Sequence, residues 1–339
     1  MPFTLSHAAA VLPAMRRTGA ARGPLIASAL VAGSFAPDLT YFAGTVVPGA
    51  MLFGAFTHSP MGVLTVDVLI TAALVGVWLL LREPLLALLP RSWRGPAYAL
   101  ARGRPWRTRR PVALAGWFFV SAVLGSVTHV VWDAFTHQGR WGTRLLPVLE
   151  RVVEGFPLTT YVQYGTSALA LGVIGWFLYS GTRRARRAEA GTGGAPGPRS
   201  PGVPGQWAGR AAARRRSAAP AVPGLPDLSG GQRAGAWLFL GLCLLAGTVH
   251  RVLRARSVYG DAATWFDYVP TVAFGAGAGL AAGLPLYALA VRALHRTPGV
   301  AATPGPHQEA GRPYQEPGRP RREVDRDVPA EPSAARERT

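Results

Sequence analysis

His129, Asp133 and His137 are spaced four residues apart at the end of an apolar stretch that begins near Val112. On a helix that spacing stacks the three side chains on one face. Neutral imidazole and carboxylate are ordinary ligands for zinc and related divalent ions. Ionisable groups at membrane depth are costly enough to count as a functional hypothesis by default. A His and an Asp one turn apart can also form a local ion pair that only holds helices together, and for these two residues alone both readings stand.

Nearly all the other residues suited to chemistry lie in the first half of the chain: His7, Asp38, His58 and Asp67. Asp38 follows Pro37, which weakens helical hydrogen bonding, so the backbone there should bend and line protein or water. His58 sits in Phe-Thr-His-Ser-Pro, and Asp67 lies about two turns further on. Asp38, His58, His129 and Asp133 come from separate positions yet are expected at the same depth on one membrane side, and such convergence marks a shared site. Asp67 is expected to be a structural partner of an arginine or a hydroxyl. His137, beyond the apolar stretch, is equally consistent with a solvent-facing loop residue and a ligand. His250 and His295 each neighbour an arginine and are expected at an interface.

The elements that must position these residues follow from the charge pattern. The chain has 339 residues, 49% of them hydrophobic, and a formal net charge of +19, with a positive mean hydropathy of +0.18. Its cations, all arginine, gather in a few segments and leave long stretches uncharged, the pattern of a polytopic membrane protein. Stretches of about 20 apolar residues give six expected spans, at 25–46, 61–81, 112–136, 158–179, 235–253 and 268–292. The fold class is therefore an all-helical transmembrane bundle.

Arginines at 16, 17 and 22, between 82 and 110, and from 183 to 187 are expected on the cytoplasmic side, together with both termini. Arg251, Arg254 and Arg256 oppose an outside loop after the fifth span, so the last hairpin is the least determined by charge. The small-residue pattern ending at Ala36 is followed at once by Pro37, which disfavours a cleaved signal. The lone Cys243 excludes an intrachain disulfide and leaves His and carboxylate as metal ligands. The expected organisation is a core at 1–180, a disordered Arg/Pro/Gly-rich linker at 181–232, a helix pair at 233–296 and a disordered tail at 297–339. Membrane lipid is the expected partner, protein partners are left open, and the basic segments lack the interleaved aromatics of a nucleic-acid surface.

Several motifs in order carry a resemblance: Met-Pro-Phe-Thr-Leu-Ser-His ending at His7, Ala-Pro-Asp ending at Asp38, and Thr57-His58-Ser59. Thr128-His129, Trp132-Asp133-Ala134-Phe135-Thr136-His137, Gly155-Phe156-Pro157 and Tyr161-Val162-Gln163-Tyr164 complete the set. In these the chain resembles the domain of unknown function 4184 family of multi-pass bacterial membrane proteins, over residues 1 to about 290. The resemblance implies an integral protein of the bacterial cytoplasmic (inner) membrane and carries no established activity. More distantly the chain is similar to membrane-bound metal-dependent hydrolases related to zinc-dependent phospholipase C. That similarity implies His7, Asp38, His58, His129 and Asp133 as metal ligands, with zinc as the ion. Phe53 departs from it, standing where the hydrolase pattern has a further His. The charge pattern places His7 on the cytoplasmic side, opposite the other four, so either the segment 4–15 dips back into the bundle, which is the preferred reading, or His7 is an ordinary interfacial residue.

Three functions remain open at this level. One is a metal-dependent hydrolase acting on a lipid or phosphoester, in which a divalent ion polarises a phosphoryl or acyl oxygen and activates water; its catalytic residues beyond the ligands are unknown. The second is a transporter or proton relay using the same His and Asp residues. The third is a scaffold whose polar residues only pack helices.

Overall fold

The computed structural model describes residues 3–104, 109–192, 224–260 and 265–295. The expected tail and most of the expected linker, residues 193–223, lie outside them. The described helices are α1 (Ala8–Val11), α2 (Ala27–Gly33), α3 (Leu39–Ala43), α4 (Gly54–Thr57), α5 (Pro60–Leu64), α6 (Val66–Leu88), α7 (Arg91–Arg102), α8 (Pro111–Thr136), α9 (Trp141–Leu145), α10 (Leu158–Thr192), α11 (Gly230–Tyr259) and α12 (Trp265–Leu294). A two-residue hairpin pairs β1 (Val152–Val153) with β2 (Phe156–Pro157).

Four of these, α6, α8, α11 and α12, carry stretches long and apolar enough to cross a membrane. Burial is inverted relative to a water-soluble protein. Leu69, Trp117, Phe119, Trp176 and Leu238 are exposed, whereas Asp38, Asp67, Ser121, Ser126 and His129 are fully buried. Apolar side chains facing lipid around a polar interior are what a bilayer demands. The chain is thus a polytopic helical membrane protein.

Two of the six expected spans differ in form. The stretch 25–46 is not one helix: α2 ends at Gly33, a 3-10 turn covers Ala36–Asp38, and α3 resumes at Leu39. Pro37 has no N–H to continue the helical ladder. The stretch 158–179 belongs to a longer helix, α10, which carries on to Thr192 through a run of Arg and Ala, both strong helix formers. Helix α6 carries the second span past its expected end at 81, through Pro84 to Leu88. Pro84 cannot donate to the Leu80 carbonyl one turn back, and Arg292 of α12 supplies the missing donors, with Nε at 3.1 Å and Nη2 at 3.0 Å.

Helix α8 packs closely on α2. A Cβ added to Gly125 would lie 2.3 Å from the Leu30 carbonyl oxygen, so only glycine admits this approach. Ser126 donates to the Gly33 carbonyl at 3.0 Å, and Ser121 accepts from the Ile26 N–H at 2.9 Å. Small residues that let backbones touch, aided by hydroxyl bonds, are the usual means of joining helices in lipid. The α11–α12 pair uses the same device: a Cβ on Gly279 would lie 2.0 Å from the Cys243 carbonyl oxygen. Ahead of α11, Asp227 accepts from Arg91 at 2.5 Å and Arg94 at 3.0 Å, and these bonds hold its carboxyl below the usual carboxylate range. Arg94 also donates to the Leu89 and Ala87 carbonyls, satisfying the end of α6.

Candidate metal centre

The segment before α2 re-enters the bundle. Phe3 packs edge-on against Tyr164 and the Ser6 hydroxyl meets Ser167, both on α10, so a 3-10 turn at Thr4–His7 is held between α10 and α8. The chain reverses at Met15–Ala21. This re-entry takes His7, 2% exposed, to the end of α8 distant from the arginine-rich loop, where it stacks on His129 with ring centroids 3.8 Å apart. The alternative of an ordinary interfacial His7 is set aside by this burial.

Asp38, His58, His129 and Asp133 converge, and one ligand atom from each lies within 4.8 Å of all the others. His58 Nε2 is 3.8 Å from Asp38 Oδ1 and 3.4 Å from Asp133 Oδ2. His129 Nε2 is 3.5 Å from each of the same two oxygens. Donors bound tetrahedrally at about 2.1 Å from zinc lie about 3.4 Å apart, so the spacing suits one ion. His7 Nε2 is 3.5 Å from the other oxygen of the Asp133 carboxylate, Oδ1, and stands outside the four-atom group.

The surrounding bonds fix which atoms face inward. His129 Nδ1 is 2.7 Å from the Ser34 carbonyl and His58 Nδ1 is 2.8 Å from the Gly54 carbonyl. A carbonyl can only accept, so each Nδ1 carries a proton, and in the neutral ring each Nε2 presents a lone pair. Thr4 donates to Asp38 Oδ2 at 2.5 Å, leaving Oδ1 to face the centre. Asp38 Oδ1, His58 Nε2 and His129 Nε2 are buried and have no hydrogen-bond partner among the described residues. Lone pairs facing one another in a dry interior repel, and a cation relieves that repulsion while the outer bonds orient the ligands.

The broken span explains part of this geometry. Where α2 stops, the Ser34 carbonyl turns from the helix ladder to His129, and the Pro37 carbonyl accepts from the Thr57 hydroxyl at 2.8 Å. Ser59 accepts from the Gly62 N–H at 3.1 Å, capping α5 and fixing the turn that carries His58.

The other sequence candidates are placed differently. Asp67 is fully buried, but among the described residues neither an arginine nor a hydroxyl meets its carboxylate. The Thr71 hydroxyl bonds instead to the Asp67 main-chain carbonyl at 2.6 Å, and both carboxylate oxygens lack hydrogen-bond partners among the described residues. His137 is partly exposed at the rim, 4.0 Å from Asp133 Oδ2 and 3.1 Å from the Gln163 amide. His250 reaches the Thr45 carbonyl at 3.3 Å and joins α11 to the end of the broken span. The sequence reading missed Thr4 and Thr57 as orienting groups. Thr57 was visible beside His58, whereas nothing local connects Thr4 with Asp38.

No curated protein and no solved structure matches the chain. Its likeness to the membrane-bound hydrolases therefore rests on the motifs alone. The family resemblance has independent support, because the family model described as Domain of unknown function (DUF4184) matches residues 1–289. The chain belongs to that family.

Proposed function

We propose that this protein is a divalent-metal-dependent hydrolase of the bacterial cytoplasmic membrane, acting on a lipid or phosphoester at the outer face, with its termini in the cytoplasm. The observation that carries this reading is the set of buried, unpartnered donor atoms of Asp38, His58 and His129, turned toward Asp133. Those four residues would hold the ion, with zinc the first choice for a His and carboxylate set. Such an ion supplies Lewis acidity and a nucleophile drawn from water at neutral pH. Thr4 and the Ser34 and Gly54 carbonyls hold the ligands in register. His7 lies on the opposite oxygen of Asp133, where it steadies that carboxylate or supplies a fifth donor.

Asp67 favours a second reading. A fully buried carboxylate without a hydrogen-bond partner, on a spanning helix and within electrostatic reach of His58 and His129, is the kind of group a proton or ion relay uses. Metal analysis of the purified full-length protein beside Asp133→Asn separates the readings. The hydrolase requires about one zinc, manganese or iron per wild-type chain and a large loss in the variant. Undenatured wild type without stoichiometric metal, together with pH-dependent ion flux in vesicles that is abolished by Asp67→Asn, establishes the relay instead.

A further inference from the structure

The start of α8, away from the candidate metal centre, carries a separate feature. An open cleft of about 460 Å³ lies where Gly23 and Pro24, just ahead of α2, face Arg104, Arg109, Arg110 and Trp117. Arg110 immediately precedes α8, and Trp117 sits about two turns into it. His129 lies about 28 Å further along the helix than Arg110, at the usual rise per residue.

The arginines are held from the side of α2. Gly23 takes a left-handed backbone, with φ at 56°, in the turn that carries two successive carbonyls toward the cleft. The Gly23 carbonyl accepts from Arg104 Nη1 at 2.9 Å, and the Pro24 carbonyl accepts from Arg109 Nη1 at 2.5 Å. Each bond fixes one nitrogen and leaves the other N–H groups of its guanidinium to a ligand. The arginine salt bridges among the described residues belong to Arg82, Arg91, Arg94 and Arg292, and none to these three. Three cations gathered without an acid repel one another, and an anion in the cleft relieves that repulsion.

What adjoins the cleft narrows the class of anion. From Trp117 a stripe of exposed apolar side chains, Val120, Leu124, Val127 and Val131, continues along α8 at steps of three and four residues. Such steps keep the stripe on one face of a helix long and apolar enough to cross a membrane. A phosphate at the arginines, with acyl chains along the stripe, has the form of a phospholipid, and Trp117 then lies at the boundary between headgroup and chain that tryptophan favours. The cleft is lined by no carboxylate that would receive a choline or ethanolamine ammonium, so a headgroup with net negative charge fits it best.

We propose that this cleft is a binding site for an anionic phospholipid, in which Arg104, Arg109 and Arg110 take the headgroup phosphate through charge-assisted hydrogen bonds and the acyl chains follow the Trp117 stripe. A lipid held there ties the segment ahead of α2 to the start of α8.

The test uses the full-length chain purified in detergent and offered equal amounts of dioleoylphosphatidylglycerol and dioleoylphosphatidylcholine, with bound lipid counted by native mass spectrometry. Wild type should retain phosphatidylglycerol in preference to phosphatidylcholine. Arg110→Gln leaves the bonds to Gly23 and Pro24 in place. It should weaken phosphatidylglycerol binding by about fivefold, the effect of one arginine near an anionic headgroup, with phosphatidylcholine unaffected. Arg184→Gln removes the same charge from an exposed position on α10 outside the cleft, and should change neither. Equal binding of the two lipids by wild type overturns the inference, as does unchanged binding in Arg110→Gln or an equal loss in Arg184→Gln. Displacement of the lipid by about 10 mM inorganic phosphate also overturns it, because the cleft would then recognise the anion alone.

Discussion

The region around His129 and the α11–α12 pair solve the same problem, joining helices in lipid, with opposite treatment of the backbone. In α11 and α12 the helices run long and touch through glycines, and each continues as one helix, α12 through Pro270 and Pro285. Around His129 the first span is broken, and the carbonyls of Ser34 and Pro37 are released to fix side chains. Close packing alone therefore builds a joint, whereas close packing beside an interrupted helix builds a joint with directed polar atoms. Among the described residues, the second arrangement gathers several His and Asp atoms without hydrogen-bond partners, whereas His295 Nε2 stands alone at the end of α12.

Matched substitutions test that contrast most strongly. Gly125→Val and Gly279→Val each drive a side chain into a facing carbonyl, and each should cost at least about 1–3 kcal/mol, as overpacking does. Thermal unfolding in detergent should register both. Metal content should fall only for Gly125→Val, because that change pushes α2 and the Ser34 carbonyl away from His129; equal metal loss in both variants would erase the distinction.

Next in size is Thr4→Val, which removes the hydroxyl that turns Asp38 Oδ1 toward the centre. Loss of such an outer partner should weaken metal affinity by about tenfold while the unfolding temperature stays near wild type. Competition with a chelator measures it, and unchanged affinity would show that Asp38 is oriented without Thr4.

In the C-terminal region Arg292→Met leaves the Leu80 carbonyl without its substitute donor at the Pro84 break. A cost of about 1–2 kcal/mol is expected, read as faster hydrogen exchange along α12 with metal content untouched. That outcome would show that one broken ladder in this region serves docking and not chemistry.

The smallest effect concerns pH. The Asp227 carboxyl is held below its ordinary value by Arg94 and Arg91, so its contribution is present above the unfolded carboxylate pKa and is lost as pH falls through the lower folded value. Asp227 and Arg91 are both well exposed, so solvent screening keeps the contribution small. Exchange at residues 228–233 should quicken as pH falls below about 4, with no matching change in α2 or α8.

Much of this organisation was legible in the sequence because hydropathy and arginine placement act over whole segments. The helical membrane class was readable in this way, and so was the convergence of Asp38, His58, His129 and Asp133, since depth follows from position along a span. Pro37 announced the bend at Asp38. The re-entry of His7 is only weakly preferred over an interfacial position from sequence, because counting charges in loops cannot see Phe3 against Tyr164 or Ser6 against Ser167. The tautomers of His58 and His129 were invisible for a different reason: their acceptors are main-chain atoms, which every residue type carries. Asp67 ran against expectation because its neighbouring hydroxyl, Thr71, bonds back along its own helix, a choice that spacing does not reveal.

The main-chain origin of the acceptor at Ser34 also bears on how the site tolerates change over time. A side-chain partner such as the Thr4 hydroxyl disappears with one codon, but no substitution at position 34 deletes a carbonyl. A substitution small enough for that fully buried position alters the side chain while the imidazole of His129 keeps its heading. The ring's orientation is inherited through the path of the backbone, and the residues that guard it are the small ones, Gly33 and Gly125, which let that path lie where it does.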